Sequence, residues 1–463
     1  MSEPNRPSRL ISIDIMKGIG IIGMLFSHAF FKGVWFSEGN AAVVVGEHAP
    51  WVIPFALPLI IVGTWPGFFI LMTGILNSYL TAKRLEKGRT IRQAVSPMYV
   101  NAVLFLLIHV FMVTVLHDYR PDLHHPGQGS AGLFGNLVTG NGLKISSGQW
   151  YIHTMLSMLA FAEIYFALSM TYFFRKDKWK NRQSLTKILL IQAVLVLVLS
   201  AVISGPSYNL VTRLVEVNTL PANVAIFILQ SLSASQLDLF PLAAYGSIGM
   251  IVGLFLFHDR ERKDLDSLRG FLNRTGTVAL LTGVLLIVIR VLTAGTGPVD
   301  AIFIYEPYPV HLAVFNMGLI LFVLSFAMKR FEYAPLERLQ RICDRTLFIR
   351  AAGMLTLTLY VLEFPVRFVL SYAAHGLFGE SSVPFPESFL TFQFDSFMLN
   401  PGAIALFMVV IMSLWLLLIA LLIRTGFVGS FEWIFVRIAN RFRPLDKSEK
   451  AHMSRILYPL NLS

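Results

Sequence analysis

Several ionisable side chains stand inside stretches of sequence that are otherwise apolar, and these are the residues best suited to chemistry. The first stretch carries Asp14, Lys17 and His28; later ones carry His109, His153, Glu163, Asp238, Arg290, His311, Glu363 and Arg367. A charged group at the centre of a membrane helix costs on the order of 2.5–3.5 kcal/mol on insertion scales, so each needs a partner or a task. At about 100° per residue, the steps from Lys17 to His28 close to within about 20° of three full turns. Asp14 lies one turn before Lys17, so the three share a face, with Gly18, Gly20 and Gly23 nearby to permit a close approach. The rise of about 16 Å between Lys17 and His28 puts the lysine near the cytoplasmic end and the histidine in the outer half. A histidine there suits general acid–base or nucleophilic chemistry. Glu363 and Arg367 share a face at i,i+4 spacing, either to orient a substrate and balance the histidine or as no more than a local ion pair. His109, His153, Asp238, Arg290, His311 and Arg367 fall in the outer halves of their stretches. Their convergence would line a polar cavity floored by His28.

Other chemistries find no support. The single cysteine, Cys343, excludes an internal disulfide and any cysteine-based zinc site. The outer segment HDYRPDLHHPGQG is rich in His and Asp, yet its spacing matches no ligand pattern and reads as a solvated loop. No metal site is expected. The sequence contains no glycine-rich phosphate loop, serine elbow or paired-histidine zinc helix.

The elements that must position these residues follow from composition. Of the 463 residues, 55% are hydrophobic and 14% charged, which makes lipid the expected solvent. About ten apolar stretches are long enough to cross a bilayer: 10–35, 52–80, 95–116, 150–174, 186–204, 237–257, 276–293, 309–328, 350–374 and 401–423. Pro221 to Gln236 is apolar enough for a short re-entrant or interfacial segment. Most of the 38 Lys and Arg residues fall in alternate connections, and by the positive-inside rule this puts both termini in the cytoplasm. The net charge of +11 is therefore topological and points to no nucleic acid. No cleavable signal is expected before the first span. The larger connections, His117 to Gln149, Gly205 to Gln236 and His375 to Asn400, are expected outside. The fold class is thus all-α, polytopic and membrane-integral, with a domain over 1–425. A cytoplasmic interfacial helix, Phe431 to Phe442, and a tail complete it over 426–463.

Five segments carry a resemblance. The opening RLISIDIMKGIGIIGMLFSH is similar to the first motif of the transmembrane acyltransferase superfamily, which includes the acyltransferase-3 and heparan-α-glucosaminide N-acetyltransferase-like proteins. Arg9, Ile13-Asp14, Lys17-Gly18 and His28 occupy its positions, with Lys17 where the family usually has Arg. WPGFFILMTGILNSYLTAKR resembles the family's FF-x-L-S-G stretch, with Thr73 for the usual Ser. GQWYIHTMLSMLAF resembles its Trp-containing span, with Trp150 in place. GMLTLTLYVLEFPV resembles a motif with His or Gln where Glu363 stands, and GSFEWIFVR resembles a C-terminal G-x-x-E-W motif. Together they cover nearly the whole chain in the right order.

The resemblance implies transfer of an acyl group, acetyl foremost, from cytoplasmic acyl-CoA to a hydroxyl or amine of a glycan or lipid acceptor at the outer side. Acyl-CoA is then a co-substrate, with no tightly bound cofactor, and the bacterial inner membrane is the expected location. Donor phosphates would stay near Arg9, Lys17 and Arg84, with Asp14 fixing the donor entrance, and His28 and Glu363 would be catalytic. The Lys17 and Glu363 departures leave open a non-catalytic subunit of a larger membrane complex, and the buried charges leave open a transporter. A homo-oligomer or partner proteins are compatible with each.

Overall fold

The computed structural model describes residues 10–34, 66–116, 153–217, 219–235, 237–259, 263–294, 309–378 and 401–442, with the shorter pieces 120–121, 129–130, 132–138, 142, 381–383 and 396–398. Helices dominate, and the strands among these residues are two short antiparallel pairs, Arg120–Pro121 with Gly129–Ser130 and Ser381–Val383 with Ser396–Met398. Among the described residues, eight helices are long and apolar enough to cross a membrane, or nine if one bent pair counts as a single span. The chain is an all-α, polytopic membrane protein.

In chain order the helices are α1 (Ile11–Val34), α2 (Pro66–Glu86), α3 (Ile91–Phe111), the short α4 (Leu133–Val138), α5 (Met155–Phe173), α6 (Arg182–Val217), α7 (Leu220–Leu232) and α8 (Leu239–His258). There follow α9 (Leu265–Ala294), α10 (Val310–Ala327), α11 (Leu336–Arg345), α12 (Leu347–Met354), α13 (Thr356–Phe378), α14 (Pro401–Arg424) and α15 (Phe431–Phe442). Each apolar stretch named above overlaps at least one of these helices, although 52–65 and 150–152 lie outside the described residues. α2 is long enough to cross but is less apolar than the eight, because Asn77, Ser78 and Tyr79 interrupt it.

Two expectations require correction. Gly205 to Gln236 is not an irregular outer connection: α6 continues through Gly205 and Pro206 to Val217, and α7 follows almost at once. Pro206 removes one backbone hydrogen bond, but Val211 packs with Ile226 of α7 and Ala234, and Ser233 donates to Ser207 Oγ at 2.8 Å. That packing holds the extra turns. The stretch 350–374 is not one straight span either, because α12 and α13 meet at Leu355 with a bend of 77°.

α8 is the centre of the bundle and is buried nearly all round. Its glycines let α2 lie against it backbone to backbone, since a Cβ at Gly249 would strike the main chain of Leu71 and Ile75. Lipid tails are as apolar as leucine, so close packing of this kind is what holds membrane helices together. α6, α9 and α14 are peripheral, with Val194, Leu195 and Val198, Leu281, Leu285 and Leu292, and Val409, Leu416 and Leu417 exposed on outward faces. Such faces suit hydrocarbon rather than water.

Capping sets where helices begin. Thr90 accepts from Gln93 N while its own N–H donates to Gln93 Oε1, opening α3, and Thr154 with Ser157 does the same for α5. Between α14 and α15 the chain reverses through Gly426, Phe427 and Gly429, all with positive φ. Glycine adopts this conformation freely, while Phe427 is held in it by complete burial.

Cys343 on α11 is buried with Ile11, Ile15 and Leu339 beneath the start of α1, and burial pushes its thiol above the ordinary range. It is thus protonated and shielded at neutral pH, and a thiol-reactive dye should label it only as the fold opens. By that readout, Gly249→Leu should abolish or sharply lower the unfolding transition. Leu285→Ala, on a lipid-facing surface, should change stability by no more than about 0.5 kcal/mol.

Candidate functional site

Three of the singled-out side chains meet. His28 Nδ1 lies 3.2 Å from Glu363 Oε2, and Arg367 Nε donates to Glu363 Oε1 at 2.9 Å. Glu363 and Arg367 are almost wholly enclosed, at 1% and 5% side-chain exposure, whereas His28 keeps 19%. One carboxylate therefore bridges a fixed cation and an imidazole. An ionised Glu363 accepts from Nδ1–H, the tautomer whose lone pair is on Nε2. A carboxylate behind a histidine, itself held by an arginine, is an arrangement able to orient a base and to stabilise the imidazolium formed when that base takes a proton.

The local sequence explains why these groups meet. Glu363 and Arg367 lie one turn apart on α13, so their pairing is built into the helix. His28 stands about 26 Å along α1 from Ile11. α1 is fixed at both levels below it. Glu332, in the π-helical turn Met328–Glu332 after α10, accepts from Ser12 N at 3.1 Å and Ser12 Oγ at 2.8 Å. A carboxylate at a helix N-terminus satisfies otherwise orphaned N–H groups and the positive end of the dipole. Higher up, α1 and α12 cross in backbone contact, with Gly18 against Ile349 and Gly353 against Asp14.

The break at Leu355 exposes the first N–H groups of α13, and these are satisfied from α15. Glu432 Oε1 accepts from Leu357 N at 2.5 Å and Thr358 N at 3.0 Å, and Oε2 accepts from Thr358 Oγ1. Phe431 N in turn donates to Thr358 Oγ1 at 2.8 Å. Burial pushes the Glu432 carboxyl above its usual range, against the pull of Thr358 and Leu357. The fold therefore favours the neutral carboxyl, and this contribution weakens as pH rises through the raised value.

The remaining expected residues divide by location. Asp14 is buried and Lys17 half-buried on α1, close to the Gly18 crossing. Arg84 donates to the Ala94 carbonyl at 2.9 Å, tying the end of α2 to the start of α3. Arg9, Trp150 and the aromatic residues 385–394 lie outside the described residues. His109 and His153 gather at the start of α5. His109 Nδ1 is 2.9 Å from Thr154 Oγ1, and its ring stacks on Phe227 of α7. His153 Nε2 donates to Leu237 O at 2.7 Å, leaving Nδ1 to accept from Ser157 Oγ at 2.7 Å and Ser231 Oγ at 3.1 Å. Next to Leu237, Asp238 heads α8 and is fully buried. His311 is buried in the first turn of α10, and Arg290 is half-buried on α9. Of this outer set, Arg367 is bonded to the His28–Glu363 pair.

Sequence reasoning missed several partners. Glu163 receives Asn77 Nδ2 at 2.9 Å and Asn101 Nδ2 at 3.5 Å, so three helices share one buried carboxylate. Asparagines in apolar helices were the available signal. Glu332 and Glu432 lie near helix ends, where acidic residues ordinarily read as solvated.

No family model matches the chain, and no curated protein matches it.

The relay sets a stability prediction. Arg367→Met strands the Glu363 charge and should cost about 3–5 kcal/mol, while adding Glu363→Gln should restore most of the loss. Dye labelling of Cys343 during a thermal ramp measures both.

Proposed function

We propose that this chain is an integral-membrane acyltransferase, with about ten crossings and both ends cytoplasmic, that moves an acyl group from acyl-CoA to a hydroxyl or amine at the outer side. The observation that carries the reading is the bonding of His28 to Glu363 and of Glu363 to Arg367. The ordered likeness of five segments to the transmembrane acyltransferase superfamily supports it. So does the alternation of basic connections, which underlies the proposed sidedness.

In this mechanism His28 Nε2 takes the proton of the acceptor as its oxygen or nitrogen attacks the thioester carbonyl. The C–S bond breaks, and the departing CoA thiolate takes the proton from the imidazolium. Glu363 orients the ring and stabilises its cationic form, and Arg367 keeps that carboxylate ionised between turnovers. Lys17, with the basic residues Arg9 and Arg84, holds the donor phosphates on the cytoplasmic side. Asp14 steadies the donor entrance. The chain's location in this reading is a bacterial inner membrane, with a glycan or lipid as acceptor.

The test needs no knowledge of the acceptor. Acetyl-CoA titrated calorimetrically into the detergent-purified protein should bind. Lys17→Ala should weaken binding about tenfold or more, as loss of a charge-assisted contact requires, and His28→Ala should leave it unchanged. Failure of the folded wild type to bind acetyl-CoA or any longer acyl-CoA contradicts the proposal. In vesicles that support transfer, His28→Ala should lower the rate by about 10²–10⁴-fold.

A further inference from the structure

We infer that Glu432 is a positioning residue: from the interfacial helix α15 it clamps the first turn of α13 and thereby sets where Glu363 meets His28. The inference rests on the reading of His28 and Glu363 as the working pair.

Two features make α13 dependent on an outside hold. Its N-terminus is detached from α12 by the 77° bend at Leu355, so it has no preceding coaxial helix to extend. Pro365 lies between Glu363 and Arg367, and a proline within a helix removes the hydrogen bond to the carbonyl four residues earlier, here Val361. The two turns before Pro365 are therefore fastened weakly from above, and from α12 by the bond that Thr356 Oγ1 donates to Gly353 O at 2.8 Å. Glu432 supplies what is missing, accepting from Leu357 N, Thr358 N and Thr358 Oγ1. The return bond from Phe431 N to Thr358 Oγ1 makes the clamp two-way.

The clamp is close enough to govern the site. Glu363 follows Thr358 by five residues, a rise of about 7.5 Å along one helix. A small rotation or slide of that turn carries Glu363 Oε2 away from His28 Nδ1, now 3.2 Å distant. Geometry at this level matters, because a misplacement of about 1 Å can cost about 100-fold in rate. α15 is held in its turn by the reversal at Gly426 to Gly429 and by Phe431, Trp433 and Val436, which pack against the hydrophobic core.

Hydrogen exchange followed by mass spectrometry on the full-length protein in nanodiscs tests this without any acyl-CoA. Its outcome therefore stands apart from that of the donor-binding titration. Glu432→Ala should speed exchange of Leu357 and Thr358 about tenfold or more, with the increase reaching the Glu363 turn of α13 and the His28 turn of α1. The paired helices α2 and α8 should stay protected. Glu432→Gln, whose amide oxygen can still accept from both N–H groups, should restore protection. Faster exchange spread evenly over the whole chain would overturn the inference, as would an increase confined to α15 or a failure of the glutamine to rescue.

Discussion

A carboxylate inside a helix bundle at membrane depth has no water to solvate it, and in this chain Glu363 is 1% exposed. It can exist there as an anion only if cations or strong donors close on both oxygens, and Arg367 and His28 do so. That requirement places constraints on everything around it. α13 must present Glu363 and Arg367 on one face, α1 must bring a histidine to the same depth, and the two helices must be fixed axially within a fraction of an ångström. A charged relay of this kind adds little stability over a hydrophobic packing of similar volume.

The axial fixing is done by carboxylates at helix beginnings. Glu332 holds the first turn of α1, and Glu432 holds the first turn of α13. Each satisfies backbone N–H groups that a helix cannot satisfy itself. Between these two anchors, the Gly18–Gly353 crossing brings α1 and α12 into backbone contact. Three local devices, two carboxyl groups and one steric contact, thus locate the His28 relay from below. The bundle centred on α8 supplies the rigid wall behind them, with Tyr245 OH donating to Ala313 O at 2.5 Å to lock α8 to α10.

Much of this was legible in the sequence, for physical reasons. Long apolar runs are obligatory in lipid, so nearly every membrane helix could be found from hydropathy. Ionisable groups in those runs are costly, so His28, Glu363 and Arg367 stood out, and i,i+4 spacing tied two of them together. Helix phase alone could not say which helix would face His28, because that is a tertiary fact. The break at Leu355 was hidden because MLTLTLYVL contains neither glycine nor proline, and it exists because Glu432, 76 positions later than Thr356, supplies acceptors for the freed N–H groups. The opposite error occurred at Gly205-Pro206, a strong local stop signal that packing against α7 overrides. Asn77 and Asn101 were passed over because an amide in an apolar helix is meaningful only once its carboxylate partner, Glu163, is known.

The central claim is that Glu363 holds His28 in the tautomer protonated at Nδ1. Nitrogen-15 NMR of the histidine-labelled protein in nanodiscs, with the His28 signal assigned by its loss in His28→Gln, reads this directly. The account predicts a protonated, hydrogen-bonded Nδ1 and a pyridine-like Nε2 in the wild type, with a clear change in both on Glu363→Gln. A His28 ring protonated at Nε2 alone, or a spectrum indifferent to Glu363→Gln, would contradict it.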